Sequence, residues 1–82
     1  MSAPLTLYTR NPCPLCVDLV AELEDLGLEF ARVDLDRDPR LLGLYGERVP
    51  VLLDQAGNLL VEGRLDGDGL RRLRQLKQEA GS

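Results

Sequence analysis

The stretch YTRNPCPLC, from Tyr8 to Cys16, contains both cysteines of this 82-residue chain. A short β-prone run, LTLYT, precedes the cysteines, and a helical pattern follows them. Pro14 suits the first turn of a helix, because a residue at that position needs no backbone N–H. The stretch therefore predicts a strand that ends just before the two thiols and a helix that begins between them.

The sequence on either side of the cysteines predicts a βαβ unit. The apolar residues of the helix recur at helical spacing, and they are Cys16, Leu19, Val20, Leu23 and Leu26. Gly27 then suits the position after the last helical turn. Residues 29–35, EFARVDL, predict a second strand, in which Ala31, Val33 and Leu35 alternate with polar residues. Strand, helix and strand within about thirty residues are typical of a parallel βαβ unit.

The rest of the chain predicts a short helix, a hairpin and a last helix. Asp38 and Pro39 open the short helix, and Gly46 closes it. The runs VPVLLD and LLVEG flank a loop at residues 55–58, which is the pattern of a β-hairpin. Either Asp66 or Asp68 caps the last helix. Its apolar positions are Leu70, Leu73 and Leu76. The chain is thus predicted to be an α/β protein with one domain over residues 1–82.

Composition limits the classes of function. The formal net charge of −4 and the single Phe argue against nucleic-acid binding. No apolar run approaches the ~18 residues of a membrane span, and Met1–Thr9 lacks the pattern of a signal peptide. We therefore expect a cytoplasmic monomer that binds neither nucleic acid nor membrane. The basic residues of the last helix are either a solvated face or a docking surface for an acidic partner.

The two thiols leave three chemical roles open. In a reducing compartment a lone cysteine pair is more often catalytic or metal-binding than a stabilising cross-link. A zinc site would need carboxylates or a second chain, because this chain has no His and no third Cys. The pair could also be two small buried hydrophobic residues. Redox chemistry fits the surroundings best, because one cysteine is predicted at the start of a helix.

Cys13 and Cys16 are predicted to differ in reactivity. Unpaired backbone N–H groups and the positive end of the helix dipole stabilise a thiolate at Cys13, and Arg10 adds positive charge nearby. Cysteines in such places have pKa values of roughly 3.5–7.5, against ~8.5 for a free thiol. Cys16 lies one turn deeper, on the apolar stripe and on the same helical face. We therefore expect Cys13 to attack a disulfide and Cys16 to resolve the mixed disulfide.

The motif TRNPCPLC resembles the active-site stretch of glutaredoxins, in which two positions separate a basic residue from C-P-x-C. The tripeptide Arg48-Val49-Pro50 resembles the thioredoxin-fold element whose cis-proline faces the reactive sulfur. The predicted order of strands and helices is also similar to that of a minimal glutaredoxin over nearly the whole chain. The resemblance implies a thioredoxin-like fold with a βαβ unit, a β-hairpin and a C-terminal helix around a four-stranded mixed sheet.

The resemblance also implies roles for particular residues. Cys13 matches the nucleophile and Cys16 the resolving thiol. Pro50 matches the cis-proline, and the backbone of Val49 would pair with a bound peptide or glutathione as an added strand would. The implied activity is that of a thiol–disulfide oxidoreductase that needs no prosthetic group. Its implied substrates are disulfide-containing proteins or glutathionylated molecules, and either glutathione, the candidate co-substrate, or a reductase would recycle it.

The implied glutathione site is incomplete in the sequence. Arg10 matches the cation that receives a glutathione carboxylate. Gly63 and Asp66 fall near the segment Gly-Gly-x-Asp, whose Asp end binds the glutathione amino group. However, Leu15 stands where glutaredoxins usually carry an aromatic residue, and the segment EGRLD has one Gly and one residue too many. The alternative function is a module that binds a metal or an iron–sulfur cluster through Cys13 with a second chain or glutathione.

Overall fold

The computed structural model describes residues 5–80 and shows a four-stranded sheet with α-helices on both faces. The strands are β1 (Leu5–Thr9), β2 (Phe30–Asp34), β3 (Val51–Leu53) and β4 (Leu59–Glu62). The helices are α1 (Pro14–Asp25), α2 (Pro39–Tyr45) and α3 (Gly67–Ala80). A 3₁₀ turn, Leu35–Arg37, lies between β2 and α2. This order confirms the predicted α/β class, while the predicted extent of the domain, residues 1–82, stays a prediction.

The strands lie in the order β2-β1-β3-β4, which makes the sheet mixed. β1 and β2 are parallel, and β3 is antiparallel to both β1 and β4. This is the thioredoxin-like arrangement that the resemblance implies. Because Cys13 follows the carboxyl end of β1, it has β2 on one side and the hairpin of β3 and β4 on the other.

One face of the sheet packs against α1 and α3. The core side chains are at most 5% exposed, and they are Leu5, Leu7, Leu19, Leu23, Leu52, Val61 and Leu73. Burial of such a side chain stabilises the fold by about 1.5–3 kcal/mol. Val20 and Leu26 pack on the edge of this core, so the apolar stripe predicted for α1 is confirmed. At the end of α1, Gly27 has φ +69°, a backbone conformation that favours glycine.

The predicted pattern of the second strand is wrong in part. β2 ends at Asp34, so Leu35 lies in the following 3₁₀ turn, where it is buried. Ala31 is exposed, while Phe30 packs against the core. The reason is the register, in which Phe30 lies opposite the buried Leu5 of β1. Side chains alternate between the two faces of a strand, so Ala31 lies on the face away from α1 and α3.

The opposite face of the sheet packs against α2 through aromatic rings. Tyr8 of β1 stacks on Tyr45 of α2, with ring centroids 5.0 Å apart. The guanidinium of Arg48 lies 5.1 Å from the Tyr45 ring centroid and forms an ion pair with Glu62 at 3.3 Å. These contacts connect α2 to β1 directly and to β4 through Arg48. They also hold the segment that leads to Pro50.

The hairpin between β3 and β4 turns on one aspartate. The Oδ1 atom of Asp54 accepts the N–H groups of Ala56 and Asn58 at 2.9 and 2.8 Å. Its Oδ2 atom accepts the side-chain amide of Asn58 at 3.1 Å. These hydrogen bonds, chiefly the one from the Asn58 backbone, hold the pKa of Asp54 below its ordinary value of 3.8. The predicted hairpin is confirmed, with Asp54 added to its loop.

Two of the four basic residues of α3 make polar contacts within the described part of the chain. Arg71 pairs with Asp68 at 3.5 Å, and Arg72 donates to the carbonyl oxygen of Leu60 on the edge strand β4 at 3.1 Å. Whether this helix is a solvated face or a docking surface for an acidic partner stays a prediction. In the part of the chain that the structure describes, no helix is long and apolar enough to cross a membrane.

Candidate active site

Cys13 and Cys16 form a disulfide at the start of α1. Their sulfurs are 2.05 Å apart and their Cα atoms 5.2 Å apart. Cys13 is the N-cap residue, and Pro14 is the first residue of the helix. The N–H of Cys16 donates to the Sγ atom of Cys13 at 3.2 Å. A backbone donor at the helix start, where such groups stabilise negative charge, is therefore directed at the Cys13 sulfur.

The two cysteine residues differ in the fraction of their surface that is exposed. Cys16 is 1% exposed, whereas Cys13 is half-buried. The difference follows from their positions, because Cys16 belongs to the apolar stripe of α1 and Cys13 lies before the first turn. A molecule in solution can therefore contact the Cys13 sulfur first, which agrees with the roles that the sequence predicts for the pair.

The Val49–Pro50 peptide bond is cis, as the resemblance implies, and Pro50 is buried. Among the described residues, no hydrogen bond engages the backbone N–H or C=O of Val49. The carbonyl groups on either side of it, those of Arg48 and Pro50, both accept the N–H of Gly63, at 3.1 and 2.9 Å. A second cis bond, between Asn11 and Pro12, was not predicted from the sequence.

Gly63 and Asp66 have structural contacts in this molecule. Gly63 has φ +69°, and its N–H connects β4 to the segment around Val49. Asp66, not Asp68, caps α3, because its Oδ1 atom accepts the N–H of Gly69 at 2.8 Å. Leu15 lies in a groove of about 450 Å³ that Leu65 also lines, between α1 and the loop before α3.

Arg10 lies near the disulfide but is already paired. Its Nε atom is 3.0 Å from Oδ1 of Asp36, and Oδ2 of Asp36 accepts the N–H of Asn11 at 3.4 Å. Asp36 was missed in the sequence, where its only signal is its position just after the second strand. Because Thr9 lies opposite Asp34 in the parallel pair, the residues that follow the two strands meet.

A cleft of about 850 Å³ opens beside Cys13 on the β2 side. We call it the β2-side cleft, and its charged lining residues are Arg10, Arg32, Asp34, Arg37 and Asp38. Val17, one turn into α1, also lines it and is 63% exposed. Neither Gly63 nor Asp66 is among its described lining residues. The residues that the resemblance assigns to glutathione are therefore divided, with Arg10 at this cleft and the other two elsewhere.

Metal ligands do not gather in the described part of the chain. No group of three or more His, Cys, Asp or Glu side chains there is arranged to hold a metal ion. Both cysteines are bonded to each other. What this arrangement offers chemically is one partly exposed cysteine, a buried partner cysteine and a backbone N–H that donates to the sulfur of the first.

Comparison with known proteins relates this arrangement to a family. The family model described as Glutaredoxin-like domain (DUF836) matches residues 4–75. The chain belongs to this glutaredoxin-like family. The glutaredoxin resemblance of its sequence is thereby confirmed, and a cysteine pair at the start of α1 in such a domain supports a redox-type function.

Solved structures are similar to this glutaredoxin-like domain over most of its length. The X-ray structure of the structural genomics target protein XcR50 from X. campestris has 37% sequence identity and a TM-score of 0.74, and the match covers 92% of this chain and 96% of that one. The solution structure of protein Ne2328 from Nitrosomonas europaea has 30% identity and a TM-score of 0.70, covering 87% and 89%. No curated protein matches this chain. The neighbours support the thioredoxin-like fold.

Proposed function

We propose that this glutaredoxin-like domain is a thiol–disulfide oxidoreductase whose reacting groups are Cys13 and Cys16. The observation that carries the proposal is their disulfide at the start of α1, with Cys13 half-buried and Cys16 1% exposed. Two cysteines that served only as packing would both lie inside the core. A pair with one accessible sulfur and one protected sulfur suits a two-step exchange instead.

The exchange transfers two electrons from the protein to the substrate in two steps. In the reduced protein the Cys13 thiolate attacks one sulfur of a substrate disulfide, a mixed disulfide forms, and the other substrate sulfur leaves as a thiolate that takes a proton from water. Cys16 then loses its proton to solvent, and its sulfur attacks Cys13. The second substrate thiolate leaves and is protonated. The substrate gains two electrons and two protons, and the protein is left with the Cys13–Cys16 disulfide.

The contacts around Cys13 support both steps. The N–H of Cys16 donates to the Cys13 sulfur, so negative charge on that sulfur is stabilised when it attacks and when it leaves. The unengaged backbone of Val49 supports the proposal that a bound peptide or glutathione pairs there. A low-molecular-weight thiol such as glutathione, or a dithiol reductase, returns the two electrons to the Cys13–Cys16 disulfide.

Cysteine variants test this proposal with a peptide disulfide. The reduced wild-type protein should release two peptide thiols per disulfide and end fully oxidised. Cys16→Ser should complete only the first step, and intact mass spectrometry should find peptide attached to Cys13. Cys13→Ser should release no thiol above background, although Cys16 is still present. Equal activity of the wild-type protein and Cys13→Ser would refute the proposal.

Metal analysis tests the alternative function separately. Protein purified without oxygen should contain zinc and iron only in trace amounts if the pair serves exchange alone. Stoichiometric zinc or iron that disappears in Cys13→Ser would contradict the redox-only proposal and favour the metal or cluster module. Recycling assays with glutathione and its reductase, and in parallel with a thioredoxin reductase, would then identify the electron donor.

A further inference from the structure

Two cationic side chains of the β2-side cleft are not used by the fold. Arg32 lies on β2 and Arg37 ends the 3₁₀ turn, and both are exposed. Among the described residues, no ion pair or side-chain hydrogen bond engages either guanidinium. Each therefore keeps its planar set of N–H donors available for a carboxylate, which a guanidinium binds through two parallel hydrogen bonds.

The carboxylates of the same region are already engaged. Asp34 accepts the N–H of Asp36 at 3.0 Å, and Asp36 in turn holds Arg10. Asp38 caps α2 by accepting the N–H groups of Arg40 and Leu41 at 3.1 and 3.2 Å. The acidic groups keep their charge, but each already accepts a hydrogen bond from the chain, whereas none of the donors of the Arg32 and Arg37 guanidiniums is engaged among the described residues.

The cleft also offers an apolar contact beside the reactive sulfur. Val17 is 63% exposed and lines the same cleft as Cys13. The volume of about 850 Å³ falls within the ~300–1,000 Å³ range of ligand sites. Because Cys13 lines this cleft, a molecule that fills it during the reaction contains the sulfur under attack or lies next to that sulfur.

We propose that the β2-side cleft binds the peptide segment flanking the substrate cysteine, and that Arg32 and Arg37 favour segments with carboxylate side chains. This inference rests on the proposed oxidoreductase function and names its substrate class, acidic protein disulfides. The net charge of −4 opposes an acidic peptide in general. A preference for acidic segments must therefore come from local cations, which raise the concentration of anions near them.

Two peptides that differ only beside the cysteine test the inference. One has Asp on both sides of its cysteine and the other has Asn, and each is joined by a disulfide to the same neutral thiol. At low salt the reduced wild-type protein should react about two- to five-fold faster with the Asp peptide for each arginine engaged. The advantage should shrink as salt rises, because exposed charges are screened.

Variants locate the source of the preference. R32Q/R37Q should lose the advantage of the Asp peptide, so that it reacts with the Asp and Asn peptides at equal rates. R40Q/R74Q removes the same net charge from exposed helix positions outside the cleft, and it should keep the advantage. A third substrate, the Asn peptide joined to glutathione, distinguishes peptide carboxylates from glutathione carboxylates.

Each remaining outcome overturns a stated claim. If no disulfide is reduced by the wild-type protein, the oxidoreductase function fails and the inference fails with it. If all peptides are reduced but the Asp and Asn peptides react equally, or R32Q/R37Q keeps the advantage, only the cleft assignment fails. If R32Q/R37Q slows the glutathione-linked peptide and not the Asp peptide, the cleft serves glutathione and the acidic-peptide assignment is wrong.

Discussion

The two sides of Cys13 use their polar groups differently. On the side of β4 and α3, the Asp66 carboxylate caps a helix and the Gly63 N–H is shared by two carbonyl groups. On the side of β2, the guanidiniums of Arg32 and Arg37 have no partner among the described residues. A polar group that stabilises the fold has less hydrogen-bonding capacity left for a substrate than a group without a partner. The difference therefore separates residues that maintain the structure from residues that can select a ligand.

The largest expected effect concerns the sulfur between the two sides. In the reduced protein, iodoacetamide at neutral pH should alkylate Cys13 faster than Cys16 by about ten-fold or more, because the helix start favours the thiolate form, which is the form that reacts. The 1% exposure of Cys16 adds to the difference. Peptide mapping at short reaction times measures the ratio. Earlier labelling of Cys16 would mean that Cys16 is the more reactive thiol, and Cys13 would then not be the nucleophile between the two sides.

The next effect tests whether the side of β4 and α3 is structural. Asp66→Ala should lower the free energy of unfolding by about 1 kcal/mol, because loss of an N-cap leaves a backbone N–H of α3 without its acceptor. Exchange rates, measured where both proteins are folded, should not change. Asp68→Ala is the matched control, because among the described residues its carboxylate makes only an exposed ion pair with Arg71. Denaturant unfolding and a glutathionylated peptide supply the two readouts.

A different result for Asp66→Ala would reverse the comparison. A slower reaction with the glutathionylated peptide, without a loss of stability, would show that Asp66 binds glutathione as the family resemblance implies. The polar groups of both sides would then contact substrate. A hydrogen bond within the fold would not separate structural residues from substrate-binding residues.

Arg10 is intermediate between the two sides, since it lines the cleft but is paired with Asp36. Asp36→Asn removes the competing charge and keeps an acceptor for the N–H of Asn11. We expect a rise of up to about five-fold in the rate with a glutathionylated peptide, the worth of one exposed ion pair. Arg10→Glu should lower that rate. If Asp36→Asn leaves the rate unchanged while R32Q/R37Q lowers it, Arg10 does not receive the glutathione carboxylate.

Features set by neighbours in the sequence were predictable. The spacing of apolar residues on α1, the helix start at Pro14 and the Asp38 cap each depend on a few adjacent residues, and the structure has them where they were predicted. Asp66 shows the same rule. Its position before a helix predicted a cap, and the cap is present, whereas its proposed contact with glutathione stays a prediction.

Features that depend on strand register were not predictable. Arg10 and Asp36 are 26 positions apart, and they meet only because β1 and β2 are parallel with Thr9 opposite Asp34. The same register puts Arg32 opposite Leu7, where it lines the β2-side cleft, and puts Ala31 on the other face of β2. A one-residue shift in register would exchange the two faces of the strand. The sequence contains no local signal that selects between these registers.

The smallest expected effect concerns the hairpin at Asp54, which lines neither side of the site and so reports on the fold alone. Its pKa is lowered in the folded protein, chiefly by the hydrogen bond from the Asn58 backbone, so the ionised carboxylate stabilises the hairpin. That contribution is present above the ordinary pKa of 3.8 and is lost as the pH falls through the lower folded value.

Relative to Asp54→Asn, the wild-type protein should be more stable at pH 5–7, and this advantage should shrink below about pH 4. Glu24→Gln, an exposed position on α1, is the control for loss of one charge, and melting temperatures from pH 3 to 7 give the comparison. Exchange rates at pH 7 should be equal for all three proteins. A stability difference that does not change with pH would mean that the Asp54 charge does not support the turn, and a change in exchange rate would mean that the hairpin and the site are coupled.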